Sequence, residues 1–180
     1  YNPNYIVAMV VDAQGVVWAG TWGAGLSRFD GKTWAHYTMA DGLPGNHVFM
    51  LHLDPTGQLW VGTNNGLAKL HDGKFELLTV QDGLFSNTVF SMATTRDGSL
   101  WVGTNGGGVA HYVDGRFTMY TRANGLAGNT VGALAQDQDG DIWVGTNDGL
   151  SRFDGARFTT YGEAEGLPPR PVRAMRVDRQ

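Results

Sequence analysis

The amino-acid sequence predicts an all-β protein built from tandem repeats, and three observations carry this prediction. The tetrapeptide Trp-Val-Gly-Thr at Trp60 recurs almost unchanged at Trp18, Trp101 and Trp143, at intervals of 42, 41 and 42 residues. The 27 glycines among 180 residues are about twice the average usage, which indicates many tight turns. The apolar runs are short and lack the period of an amphipathic helix. Such a fixed period indicates a repeat architecture.

The second repeat shows how each unit is built. Residues 48–53 form an apolar run that predicts a buried strand, and residues 54–57 (Asp-Pro-Thr-Gly) have the chemistry of a type I turn. The return strand covers residues 59–63. Turns follow at residues 64–66 and 71–73, each before another short strand. Each repeat is therefore predicted to be four short antiparallel strands.

Four short strands in about 42 residues, repeated in tandem, are typical of β-propeller blades. We therefore predict a single β-propeller segment of four four-stranded antiparallel blades plus one extra inner strand. A surplus strand is not how a complete ring ends, so we expect a segment of a larger ring. The predicted blades cover about residues 5–38, 47–79, 88–121 and 130–162, and the extra inner strand covers residues 172–178.

Composition and charge argue against several function classes. The net charge is −4 and the only group of basic residues is a scattered set of arginines near the C-terminus, so no nucleic-acid partner is expected. The chain has no cysteine, which excludes disulfides, thiolate metal sites and cysteine nucleophiles. No apolar run approaches the roughly 18 residues that span a bilayer, so no direct membrane contact is expected.

One repeat pattern resembles a known family. Asp, Gly and Leu-Trp-Val-Gly-Thr over residues 54–67, a fourth-strand aromatic, and a Gly-Leu-x-x-Asn-x-Val linker over residues 83–89 are similar to the two-component regulator propeller repeat. The resemblance covers the whole chain. It implies part of an extracytoplasmic propeller of a bacterial sensor histidine kinase, periplasmic or extracellular, with an oligosaccharide or other small ligand. Thr95 stands where the other repeats have Asp, which we interpret as repeat drift.

Candidate binding residues come from the turns between second and third strands and from the linkers, which share one face of a propeller. Trp22 breaks the repeat, since the other repeats have Asn there, and its indole is suited to stacking on a sugar or packing into a partner. The alternative is that it covers a neighbouring blade. The asparagines are also explained by turn chemistry. The candidates are Trp22, Asn46, His47, Asn65, Phe85, Asn105, Asp148 and Arg170.

Neither catalysis, a metal site nor a cofactor is expected. The five histidines fall at unrelated repeat phases, and no Gly-x-Ser-x-Gly sequence occurs. The acidic residues 137–141 are better explained as a turn than as a calcium loop. His52 and Arg176 replace small residues on first strands and are candidates for polar groups at a central channel, or are ordinary strand residues.

Three function hypotheses remain. The favoured one is a non-catalytic ligand-sensing segment of a two-component sensor. The second is a protein-interaction or self-assembly scaffold without a small ligand, associating through open blade edges. The third, favoured least, is a propeller hydrolase or lyase. In all three, the four repeated tryptophans are predicted to lie inside, filling the wedge between adjacent blades.

Overall fold

A computed structural model describes residues 2–178 and confirms the all-β fold class, with four four-stranded antiparallel sheets. Within each sheet the strands neighbour one another in the order of the chain, as in propeller blades. Blade 1 contains β1 (Ile6–Val11), β2 (Val17–Thr21), β3 (Leu26–Phe29) and β4 (Trp34–Tyr37); blade 2 contains β5 (Val48–Leu53), β6 (Leu59–Thr63), β7 (Gly66–His71) and β8 (Lys74–Leu78). Blade 3 contains β9 (Val89–Thr94), β10 (Leu100–Thr104), β11 (Val109–Val113) and β12 (Arg116–Tyr120); blade 4 contains β13 (Val131–Gln136), β14 (Ile142–Thr146), β15 (Gly149–Phe153) and β16 (Phe158–Tyr161).

Short 3₁₀ helices follow the fourth strands, in segments that the sequence predicts only as linkers. In the first of them the Thr38 hydroxyl accepts from the backbone of Ala40, and Gly42 ends the helix in the left-handed region at φ 98°. This cap turns the chain so that Leu43 enters the core, where it is 3% exposed. Within the described residues these helices are Met39–Asp41, Val80–Asp82, Arg122–Asn124 and Glu163–Glu165.

The chain divides into two compact units. The first contains Tyr1–Gln81 with Asn87–Val89 and holds blades 1 and 2, and the second contains Asp82–Ser86 with Phe90–Gln180 and holds blades 3 and 4. Each unit has its own apolar core. The first core includes Val16, Trp18, Leu26, Leu43, Val48, Leu51, Leu59, Val61 and Ala68, and the second includes Trp101, Val109, Leu126, Val131, Ile142 and Val144.

The repeated tryptophans are buried in three blades, as predicted, and half-buried in the fourth. Trp18, Trp60 and Trp101 are 6%, 5% and 2% exposed, whereas Trp143 keeps part of its ring at the surface. In three blades the indole N–H donates to the carboxylate of the aspartate that begins the preceding turn. The distances are 3.3 Å for Trp18 to Asp12, 3.2 Å for Trp60 to Asp54 and 2.7 Å for Trp143 to Asp137.

The glycine two residues after each tryptophan permits close approach of the next inner segment. A Cβ atom on Gly20 would lie 2.4 Å from the Val48 Cγ1 atom, and one on Gly145 would lie 2.7 Å from that of Val172. Real Cβ atoms essentially never come this close. The repeated Trp-x-Gly therefore serves packing within and between blades.

The predicted extra inner strand over residues 172–178 is not confirmed. Val172 does occupy the position that inner-strand valines take elsewhere, and its N–H donates to the Thr146 carbonyl at 2.9 Å. A strand, however, requires a ladder of hydrogen bonds with a neighbour. In the part of the chain that the structure describes, no second strand lies beside this segment, so it docks through Val172 without forming a sheet.

Candidate functional site

The turn between second and third strands meets the following linker at one end of blade 1. An isolated β-bridge joins Trp22 in the turn to His47 in the linker. Next to it, the Gly25 N–H donates to the Asn46 carbonyl at 2.9 Å. The expectation that turn and linker share a face is confirmed here. The backbone of Trp22 is thus held to the linker by the bridge. It is also held to the first-strand side of the blade, since the Trp22 N–H donates to the Tyr5 carbonyl at 2.9 Å.

Trp22, His47 and Phe49 form an aromatic cluster at this face. The Trp22 ring lies edge-on to both neighbours, with ring centres 5.9 Å from His47 and 5.3 Å from Phe49. The His47 and Phe49 rings are 6.3 Å apart. Trp22 remains 40% exposed, so the cluster presents an indole to solvent in a defined orientation. Two of the predicted site residues are thus brought together, and the third member, Phe49, was not predicted.

The predicted asparagines instead hold the linkers and turns in place. The Asn46 side-chain oxygen accepts from the Met39 N–H at 2.9 Å, and the Asn65 amide donates to the Pro44 carbonyl at 3.0 Å. The Asn105 oxygen accepts from the Thr130 hydroxyl at 3.2 Å. Each of these side chains therefore already makes a structural hydrogen bond, as turn chemistry requires. The structure places none of them in the aromatic cluster.

Asp148 and Arg170 both lie in the second unit. Both line a cleft of about 280 Å³ beside blade 4, together with Asn147, Glu163 and Leu167. Asp148 also pairs with the Arg122 guanidinium at 2.9 Å, an exposed ion pair of the kind that contributes little to stability. The predicted Phe85 lies in the linker before blade 3 and is 62% exposed.

The two polar residues predicted on inner strands differ in their surroundings. His52 is half-buried on β5, opposite Trp60, and Arg176 is exposed. Burial lowers the pKa of His52, while the Asp54 carboxylate opposes the shift. The imidazole is therefore mainly neutral at neutral pH. Neither residue belongs to the aromatic cluster.

Within residues 2–178, His, Asp and Glu side chains form no group of three or more placed to hold a metal ion. Over the same residues, none of the helices has the length and apolar character to cross a membrane.

The chain matches the family model described as "Two component regulator propeller". The matched residues are 1–23, 42–65, 83–106 and 125–148, which together exceed half of the 180 residues. Each match covers a linker, a first strand and the Trp-Gly strand of one blade. A comparison with curated proteins found no match.

Several solved structures share the fold. One is the extracellular domain of a protein described as the hybrid two component system BT3049 of B. thetaiotaomicron, with a TM-score of 0.82 and 24% identity over 92% of this chain. Another is that of BT4673 from the same organism, with a TM-score of 0.74 and 22% identity over 90% of this chain. The chain spans 24% and 25% of these two structures, about a quarter of their length.

An enzyme is also among the similar structures. Virginiamycin B lyase from Staphylococcus aureus has a TM-score of 0.74 and 16% identity over 93% of this chain, which covers 57% of the lyase. At this identity the likeness concerns the fold alone.

Proposed function

Because the chain belongs to the two-component regulator propeller family, we propose that it is a non-catalytic, ligand-sensing segment of a sensor propeller in a two-component signalling protein. The observation that carries the proposal is the family match, which falls on the same part of all four repeats. The similarity in fold to the extracellular domain of BT3049 supports it. A periplasmic or extracellular location belongs to the same proposal.

An oligosaccharide is the ligand class that we assign to the aromatic cluster. An indole offers a broad apolar face and one hydrogen-bond donor, which suits a sugar ring with its apolar faces and hydroxyl edges. Trp22 is 40% exposed and is oriented by two neighbouring rings. A ring already held in place loses little conformational entropy when a ligand binds. Exposure and prior orientation together favour the cluster over the asparagines as the contact point.

Calorimetric titration with a panel of oligosaccharides tests this assignment. We expect at least one saturable ligand, and we expect Trp22→Ala to weaken its binding by more than about tenfold, since buried aromatic anchors are commonly worth 2 kcal/mol or more. Trp34→Ala is the matched control, because Trp34 is an exposed tryptophan (58%) on the outer strand of the same blade. It should leave binding unchanged.

Two outcomes would count against the assignment. One is the failure of every oligosaccharide in the panel to bind. The other is equal weakening by Trp22→Ala and Trp34→Ala, which would mean that the aromatic cluster has no special part in binding.

Self-association is a second candidate function, and the outer face of β1 favours it. Val7, Met9 and Val11 alternate along this edge strand and are 38%, 64% and 56% exposed. Such a row of exposed apolar side chains on an edge strand is suited to packing against another blade. We propose that a second copy of this chain covers this face, with the uncharged side chains of Val7, Met9 and Val11 at the centre of the contact.

Light scattering after size exclusion tests self-association. The unmodified chain should be dimeric at micromolar concentration, and Met9→Lys combined with Val11→Lys should give a monomer, because burying two ammonium groups is unfavourable. Leu77→Lys is the control, since Leu77 is an exposed apolar residue (43%) on the outer strand of blade 2. A monomeric unmodified chain, or loss of the dimer in the control, would refute the role of β1.

A further inference from the structure

A cavity lies at the end of blade 3 that holds the turn between β9 and β10. It has a volume of about 250 Å³, or room for about eight water molecules, and lies between blades 3 and 4 in the second unit. Its walls include Trp101, His111 and Tyr120 from blade 3 and Phe153 from blade 4. The turn that connects β9 to β10 supplies Thr95, Asp97 and Ser99. A volume of this size holds a small molecule.

At this cavity, blade 3 lacks a positively charged side chain that the other three blades have. In each of the other blades a side-chain cation lies over the ring of the repeated tryptophan. The three pairs are Arg28 over Trp18, Lys69 over Trp60 and Arg152 over Trp143, each 5.8 Å from the ring centre. In blade 3 the corresponding residue is His111, whose imidazole stacks on Trp101 with ring centres 4.5 Å apart.

His111 does not replace the missing cation. Burial lowers the pKa of His111, while the nearby Asp97 carboxylate opposes the shift, so the ring is mainly neutral at neutral pH. A carboxylate nevertheless remains. The Thr95 hydroxyl and then the Ser99 N–H lower the pKa of Asp97 to about 2, which keeps it ionised. Blade 3 thus has an ionised carboxylate at the turn position that Gln14, Thr56 and Asp139 occupy in the other blades, and no side-chain cation among the described residues lies over its tryptophan ring.

The tryptophan donor of blade 3 is also left without its usual acceptor. Thr95 stands where Asp12, Asp54 and Asp137 accept from the indole N–H in the other blades. Trp101 is 2% exposed, and among the described residues its N–H has no hydrogen-bond partner. Because no buried side-chain nitrogen or oxygen within residues 2–178 is unsatisfied, this N–H must reach solvent, and Trp101 lines the cavity. A donor that reaches this cavity can be satisfied by water or by an acceptor group of a ligand bound there.

The polar side chains on the turn are already arranged around Asp97. The Thr95 and Ser99 hydroxyl oxygens lie 2.5 and 2.9 Å from Asp97 Oδ1 and 2.6 Å from each other, and His111 Nε2 lies 2.9 Å from the Ser99 hydroxyl oxygen. Ser99 Oγ is thus shared among Asp97, Thr95 and His111, and the direction of the bond to His111 depends on the imidazole tautomer.

We propose that the blade 3 cavity binds a small protonated amino alcohol, with the ammonium group at the Asp97 carboxylate and the neighbouring hydroxyl oxygen accepting from the Trp101 indole N–H. The ammonium restores the positive charge that His111 omits, and the hydroxyl replaces the acceptor lost at Thr95. The Tyr120 and Phe153 rings flank the carbon chain. The Asp97 charge disfavours a carboxylate as the acceptor for Trp101. The site is independent of the proposed oligosaccharide site.

Titration of the ¹⁵N-labelled chain with ethanolamine at fixed ionic strength tests the proposal. The readout is the indole N–H resonance of Trp101, identified by its loss in Trp101→Phe. We expect a saturable shift of this resonance. Ethylene glycol, which lacks the charge, and ethylamine, which lacks the hydroxyl, should each bind at least about tenfold more weakly, because each loses one hydrogen bond to a charged or buried partner.

Two variants separate the site from general electrostatics. Asp97→Asn should weaken ethanolamine binding by about tenfold or more while its amide oxygen preserves the turn. Asp139→Asn removes the same charge at the equivalent turn position of blade 4 and should have no effect. His111→Arg should abolish binding, since it supplies the internal cation found in the other blades. An unchanged Trp101 resonance in ethanolamine, or equal effects of Asp97→Asn and Asp139→Asn, would overturn the proposal.

Discussion

Replacement of Trp60 by alanine is expected to lower the free energy of unfolding by roughly 3–5 kcal/mol. The ring is 5% exposed, and its removal leaves a cavity inside blade 2. It also removes the indole N–H that donates to Asp54 at 3.2 Å and the aromatic face under the Lys69 ammonium. Urea denaturation followed by circular dichroism measures the loss.

Trp34→Ala is the control for this prediction. Trp34 is 58% exposed and stacks on the half-buried Phe29 ring, with ring centres 4.7 Å apart. Its removal should cost no more than about 1 kcal/mol. A loss below about 1 kcal/mol for Trp60→Ala would mean that the repeated tryptophans do not hold the blades together.

Gly25→Ala is expected to lower the free energy of unfolding by about 3 kcal/mol or more. The loss combines a conformational effect with a steric one, and a second glycine, Gly15, allows the two to be separated. Gly25 has φ +82°, which an alanine adopts only at a cost. An added Cβ would also lie 2.1 Å from the Tyr37 carbonyl oxygen, which is backbone and cannot swing aside. The third and fourth strands of blade 1 would have to separate at this end.

Gly15→Ala measures the conformational effect alone. Gly15 has nearly the same φ, +80°, but a Cβ there would have no atom within 4 Å. We expect a cost of about 1–2 kcal/mol, the usual penalty for an L-residue in the left-handed region. Thermal or urea denaturation of both variants gives the difference. Equal costs would show that the contact with Tyr37 is relieved without loss of stability.

The fold was predictable because its determinants are local and repeated. A tryptophan, a glycine two residues later and an aspartate six residues earlier recur in nearly every blade, and each has a single structural role. The 3₁₀ helices were not predicted, since three residues are too few to show a period. The inner strand predicted over residues 172–178 was not confirmed, because an apolar pattern says nothing about whether a pairing strand lies beside it.

The candidate sites were predictable only where one residue breaks the repeat by itself. Trp22 and His47 differ visibly from their equivalents and do meet in space. Phe49 looks like any apolar residue of an inner strand, and only the fold shows that it supports Trp22. In blade 3, the changes at Thr95 and His111 each look like drift. The structure shows that both residues line the same cavity as Trp101, so the two changes affect one site.

The central claim is that the repeated residues stabilise the blades, whereas the residues that break the repeat form the candidate binding sites. Urea denaturation of Trp60→Ala and Trp22→Ala under the same conditions tests this claim most directly. Trp60 is 5% exposed and Trp22 is 40% exposed, although both are tryptophans of the first unit. We predict a loss of roughly 3–5 kcal/mol for Trp60→Ala and of about 1 kcal/mol or less for Trp22→Ala. A loss for Trp22→Ala as large as that for Trp60→Ala would contradict this division, because Trp22 would then be a structural residue.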